Sequence, residues 1–148
     1  MLDLVEIIGR LVVAAAIGCA VGLNRDLHGK PTGIRTLGLV ALSTAAMVLV
    51  VRNGGSGAED LNAISRVMQG VITGVGFLGA GVIIRNAEGH HVHGLTTAAC
   101  TWLVACLGLI CGIGDWRLLG AAVIIAAVLL VIGGPIERAL HARWGNDT

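Results

Sequence analysis

LTTAACTWLVACLGLICGI, residues 95–113, contains no Asp, Glu, Lys or Arg. As an α-helix it is close to the roughly 20 residues that cross the hydrocarbon core of a bilayer. Past a tight turn at Gly112, Gly114 and Asp115, residues 118–136 repeat the pattern, again without a charge. Toward the N-terminus, three more apolar stretches occupy residues 4–23, 34–51 and 67–84. Lipid offers no partners to open backbone groups, so such stretches must be helical. The strand alternation of a membrane barrel is absent. The expected fold is all-α: one polytopic membrane helix bundle over residues 1–148 with about five transmembrane helices. Residues 137–148 form a short cytoplasmic tail in this reading, with the stretch up to Trp144 continuing the last helix.

Composition agrees. The chain is 55% hydrophobic and 13% charged, whereas a soluble domain carries about a quarter charged residues. Mean hydropathy is +0.87. A formal net charge of +1 gives no nucleic-acid signal. Phe77, Trp102, Trp116 and Trp144 are the only aromatic residues, too few and too scattered for a base-stacking platform. Cys19, Cys100, Cys106 and Cys111 form no CxxC pair. They read as small buried hydrophobes, and neither a metal centre nor a cofactor is expected.

Orientation follows from the Lys and Arg distribution. Arg25, Lys30, Arg35, Arg85, Arg138 and Arg143 fall on one side of a five-span chain. Arg52, Arg66 and Arg117 fall on the other, with Arg10 just inside the first span. The richer side is expected to be cytoplasmic, which puts the N-terminus outside and the C-terminus inside. Ala16-Ile17-Gly18-Cys19 has the outline of a lipoprotein cleavage site. The acidic Asp3 and Glu6 before it are unlike a signal peptide, so no cleavage is expected.

Glycine is abundant, with 23 residues. Gly18 and Gly22, Gly70 and Gly74, and Gly108 and Gly112 repeat at four-residue spacing in three different spans. That spacing puts both glycines on one helix face and lets another backbone approach. The partner is another helix of the same chain or a second copy, so a homo-oligomer stays open. Gly74, Gly76, Gly79 and Gly81 crowd into eight positions. In water such a density disfavours a helix by several kcal/mol. Two readings compete: a continuous helix in a crowded bundle, favoured here, or a broken helix whose carbonyls line a site.

Several polar groups invite a functional reading. Arg25, Arg35 and Arg85 lie at span ends on the cytoplasmic side. The second and fourth spans begin there, near Thr36 and near Thr96 and Thr97. Helix N-termini with arginines and hydroxyls form an anion site; plain positive-inside bias is the simpler account. Glu6 and Arg10 are one turn apart and suited to pair. Arg66, Gln69 and Thr73 share a helix face, where ionisable groups at membrane depth are functional suspects. Both groups sit near span ends, where snorkelling explains them. His90, His91 and His93 lack an obvious fourth zinc ligand and read as a solvated loop. Residues 52–66 read as a loop around Asn53-Gly54-Gly55-Ser56-Gly57, with Asp60 or Asn62 capping the third helix. The first and third connections, each a glycine-rich helix end, an Arg, a loop and then Gly-aliphatic-x-Thr, suggest a parallel internal repeat.

GVGFLGAGVIIR (residues 74–85) followed by VHGLTTAACTW (residues 92–102) closely resembles the MgtC/SapB family of bacterial inner-membrane proteins. GLNRDLHGKPTGIRTLGLVAL (residues 22–42) resembles that family's first conserved segment. The resemblance covers about residues 17–114. It implies a non-enzymatic regulatory role in adaptation to low magnesium and in survival inside host cells. It also implies control of the ATP synthase or of membrane potential, through partners such as the ATP synthase or an ion transporter. The alternative is a small channel or transporter for Mg2+ or another ion. The sequence departs from the family at Gly22-Leu23-Asn24-Arg25, where a glutamate usually precedes the Arg. It is also read as a short form without the soluble C-terminal domain of longer relatives. No Ser-His-Asp set, metal triad or phosphate loop supports an enzyme.

Membranes washed with alkaline carbonate should retain the chain, and detergent should release it. Recovery in the aqueous wash would remove the reading of these five stretches as lipid-facing.

Overall fold

The computed structural model describes residues 2–54, 58–85 and 92–144. Its helices are α1 (Leu4–Leu27), α2 (Ile34–Gly54), α3 (Ala58–Val82), α4 (Leu95–Ile113) and α5 (Trp116–Trp144). Each contains a segment long and apolar enough to cross a membrane. The chain divides into two compact units, one ending at Asp115 and the other starting at Trp116. Helices α1 to α4 pack together in the first; α5 belongs to the second.

Local chemistry sets the helix ends. Asp3 opens α1 from an extended conformation, and its carboxylate accepts the Leu4 N–H at 2.8 Å. Such a cap satisfies a donor with no intrahelical partner. Asp26, near the end of α1, caps the next helix: its Oδ2 accepts the Ile34 N–H at 2.9 Å. Its carboxylate fills the space where a Cβ on Gly33 would stand. Helix α4 runs between Gly94 (φ +95°) and Gly114 (φ +83°). Both are left-handed, a conformation that glycine adopts without a Cβ penalty.

Helix α2 is the centre of the first unit. It packs against α1, α4 and, less extensively, α3. Its buried face comprises Leu37, Gly38, Ala41, Thr44, Ala45, Val48 and Leu49. On one side, a Cβ added to Gly18 would come within 2.5 Å of the Leu37 carbonyl oxygen and 2.9 Å of the Ala41 Cβ. One added to Gly22 would lie 2.6 Å from the Ile34 Cα. On the other side, Gly108 lies against the Ala41 backbone and the Thr44 hydroxyl, and Gly112 against Ala45 and Val48. Ala41 is therefore held between α1 and α4, with no room for a larger side chain on either. Helix α3 buries Val71 and Val75 against Val48, Ala105 and Leu109.

The outward surface is apolar. Val5, Val12, Leu39, Val50, Phe77 and Leu95 are all exposed. In water, so much apolar surface on one domain would be an aggregation liability; in a bilayer it is the solvated face. Within the second unit, α5 likewise exposes Ile124, Ile125, Leu129 and Val131. It continues past Pro135 to Trp144.

Two sequence expectations change and one open alternative is resolved. Helix α3 starts at Ala58, well before the apolar stretch, so Asp60 and Asn62 lie within the helix and do not cap it. A helix does not stop where its apolar run stops; its first turns are polar. Helix α3 also passes unbroken through Gly74–Gly81, which resolves that alternative in favour of the continuous helix. Finally, the third connection includes a short antiparallel pair, β1 (Ile84–Arg85) and β2 (Val92–His93), in place of a plain loop. His90 and His91, like Gly55, Ser56 and Gly57, lie outside the described residues.

Replacing Ala41 with Leu should destabilise the protein by about 1–3 kcal/mol or more, the usual cost of overpacking. Gly74→Leu should cost far less, because a Cβ there meets no atom within 4 Å. Thermal unfolding of both variants in detergent checks the order; equal losses would contradict the packing described.

Candidate functional site

The buried stripe of α1 reads Arg10, Ala14, Gly18, Gly22 and Arg25. Small residues fill its middle and an arginine stands at each end. Arg10 and Arg25 are only 5% and 7% exposed. Helix α4 runs antiparallel beside this stripe. Arg10 meets its last turn, at Gly112, and Arg25 meets its first, at Thr97. At 1.5 Å rise per residue, the two meeting points are about 22 Å apart.

The Arg10 end is electrostatically matched. Arg10 Nη1 donates to the Gly112 carbonyl oxygen at 2.8 Å, and Nη2 pairs with the Glu6 carboxylate. Arg52, from the last turn of α2, donates to the Ile113 carbonyl. Gly114 donates its N–H to the Ile110 carbonyl at 2.8 Å, and its missing side chain leaves room for the Arg10 guanidinium. Two cations thus cover the carbonyls at the negative end of the α4 dipole.

The Arg25 end is different. Arg25 Nη2 donates to the Thr97 Oγ1 at 2.6 Å, and Thr97 is itself almost completely buried. Thr101 donates back to the Thr97 carbonyl at 3.0 Å. Nε is buried without a hydrogen-bond partner among the described residues in Arg10 and in Arg25 alike, so the two ends differ in counter-charge and not in that atom. Here the guanidinium faces the N-terminal turn of α4, the positive end of its dipole.

Of the residues singled out from the sequence, Arg25 and Thr97 come together in this site. Thr96 is exposed beside them on the first turn of α4. Arg35 and Thr36 are exposed on α2 and line a shallow surface depression with Leu39 and Val40. The Arg85 backbone lies in β1. Arg66 is exposed on α3, as is Gln69, whose carbonyl accepts the Thr73 hydroxyl at 2.9 Å. Gly74, Gly76 and Gly81 touch nothing that a Cβ would meet among the described residues, while Gly79 lies against Ala98. Gly70 and Gly74 border an open apolar groove of about 580 Å³, walled on the α2 side by Leu39, Val40 and Met47.

Pairing of Glu6 with Arg10 follows from their spacing, but the depth of Arg10 does not. It is buried against α4, not snorkelling toward the interface. Arg52 carries no signal beyond its charge, and its partner lies on another helix. Asp26 reads as an ordinary loop carboxylate until α2 folds back onto it.

The MgtC family profile matches residues 11–139. Protein SrpB of Synechococcus elongatus is 46% identical over 74% of this chain and 64% of its own length. The putative magnesium transporter YhiD of Escherichia coli is 37% identical over 76% of this chain and 54% of its own. Protein MgtC of Salmonella typhimurium is 37% identical over 86% of this chain and 53% of its own. The chain thus spans between about half and two thirds of the length of these relatives. No solved structure matches it.

Arg10→Met removes the donor that covers Gly112 and should cost about 1–3 kcal/mol, the penalty of an unpaired buried polar group. Glu6→Gln, at a half-exposed side chain, should cost less than about 1 kcal/mol. Unfolding in detergent measures both, and a larger loss for Glu6→Gln would contradict the assigned roles.

Proposed function

The chain belongs to the MgtC family, and from that premise we propose that it is a non-enzymatic regulatory protein of the bacterial inner membrane. It acts through other membrane proteins during adaptation to low magnesium and, in pathogens, during survival inside host cells. An ATP synthase or an ion transporter is the class of partner. The N-terminus lies outside and the C-terminus in the cytoplasm, as the bias of Lys and Arg suggests.

One observation carries this reading. The charges buried in the α1–α2–α4 interior are arginines, Arg10 and Arg25. Between them the interior is filled by Ala14, Gly18, Ala41, Val104 and Leu107. A magnesium path needs oxygen ligands, carboxylates above all, and room for retained water. Buried guanidinium groups repel a divalent cation and dry packing excludes its hydration shell. Among the described residues, no cluster of His, Cys, Asp or Glu is suited to hold a metal. Such an interior suits a rigid body that presents faces to neighbours better than a conduit.

The second reading is an ion transporter. Its support is the name of the Escherichia coli relative, a putative magnesium transporter, and the open groove between α2 and α3. Liposomes containing the purified protein and a magnesium-sensitive dye separate the two. The regulatory reading expects dye signals equal to those of empty liposomes, and recovery of a specific membrane protein after cross-linking in native membranes. Saturable magnesium uptake would reverse the conclusion.

A further inference from the structure

Arg10 and Arg25 lie on one stripe of one helix and meet the two ends of a second helix, yet their surroundings are opposite in sign. Arg10 has a carboxylate, a carbonyl and the negative end of the α4 dipole. Arg25 has one hydroxyl and the positive end of that dipole. Its own helix end offers little relief. The Arg25 carbonyl already accepts from the His28 and Lys30 N–H groups, and the Asp26 carbonyl from Gly29. The Asp26 carboxylate is engaged by the Ile34 N–H. Among the described residues, the ion pair present is Glu6–Arg10, at the far end. A guanidinium does not lose its proton in a protein, and burying an uncompensated charge is costly.

The α4 end beside it also lacks a side-chain cap, and its neighbour at Gly94 is the Val82 carbonyl at the end of α3. Gly94, at the N-cap, has no side chain to accept from the first-turn amides. The hydrogen bonds of this region include Ala98 N–H to the Gly94 carbonyl but none from the amides of Leu95, Thr96 or Thr97 among the described residues. Leu95 and Thr96 are exposed, so the end of α4 is open from outside. These amides and the Arg25 guanidinium, which bonds Thr97 in the same turn and whose Nε is unpartnered, share this end of α4. Each favours negative charge.

We propose that this end of the bundle binds a phosphate group, held between the first-turn amides of α4 and the guanidinium of Arg25. A tetrahedral oxyanion accepts from several donors at once and neutralises both positive sources. Arg25 lies two residues past the apolar run of α1, after Asn24, which puts it at headgroup depth. The phosphate belongs either to an anionic lipid or to free inorganic phosphate in the adjoining water. The site is independent of whether the protein regulates or transports.

The test is thermal unfolding of the full chain in uncharged detergent. One arm compares added phosphatidylglycerol with phosphatidylcholine; the other compares inorganic phosphate with chloride at equal ionic strength. The expected result is a rise of several degrees with phosphatidylglycerol, with inorganic phosphate, or with both; the arm that responds names the source. Arg25→Gln should abolish the rise, while Arg143→Gln, at an exposed position on α5, should leave it intact. Should Arg25→Gln fail to fold, Arg25→Lys keeps the charge but loses the planar fork and should at least halve the rise. No rise in either arm, the result if water or a carboxylate of the chain already serves Arg25, would overturn the proposal. So would an undiminished rise in the Arg25 variants.

Discussion

Helix α2 touches α1 on one side and α4 on the other only because neither neighbour has a side chain at the points of contact. Ala41 lies against Gly18 of α1 and Gly108 of α4. Lipid tails are as apolar as the helices, so association in a membrane gains little from hydrophobicity. It must come from dispersion between closely packed atoms and from polar contacts. Dispersion falls off steeply over a gap of half an ångström or more. Close approach of three backbones is therefore the main source of cohesion. The rest of the first unit is arranged around it.

Close approach also decides where the charges go. A helix with glycines along its packing face has nowhere on that face to turn a long side chain outward. Arg10 and Arg25 share the stripe of Gly18 and Gly22, so both are carried inward, each into contact with an end of α4. Helix ends are where a helix keeps unpaired backbone groups, so they can receive polar side chains that the middle cannot. Antiparallel packing then fixes opposite outcomes. One arginine reaches a carbonyl and a carboxylate through both its Nη atoms, its Nε alone left unpartnered; the other reaches the amide end.

Much of this was legible in the sequence, and the limits have physical causes. The five spans follow from hydropathy, because lipid forces apolar stretches of that length into helices. Helix α3 runs on through Gly74–Gly81 for a related reason: broken backbone in a bilayer needs a polar cavity to satisfy it. The start of α3 at Ala58 was hidden because hydropathy marks the membrane-crossing part of a helix and not its polar first turns. The depth of Arg10 was hidden because it depends on Gly112, far along the chain. No local pattern encodes which helix lies beside it. Arg25 and Thr97, which flank spans at one end of the bundle, do meet; Arg35 and Thr36, near the same end, are exposed on α2.

The glycine pairs show the same limit more sharply. Gly18 with Gly22, Gly70 with Gly74, and Gly108 with Gly112 are identical in spacing, yet only the first and last lie against a backbone. What differs is the facing surface. Toward α1 and α4, helix α2 presents Gly38, Ala41, Thr44 and Ala45. Toward Gly70 and Gly74 it presents the long Leu39, Val40 and Met47 along with the smaller Ser43 and Thr44, and a groove remains. A small-residue stripe closes only onto a stripe that is small as well, because one long side chain holds two helices apart along the whole contact. The pattern on a single helix is thus half of the information. The other half lies on a helix that the pattern does not identify.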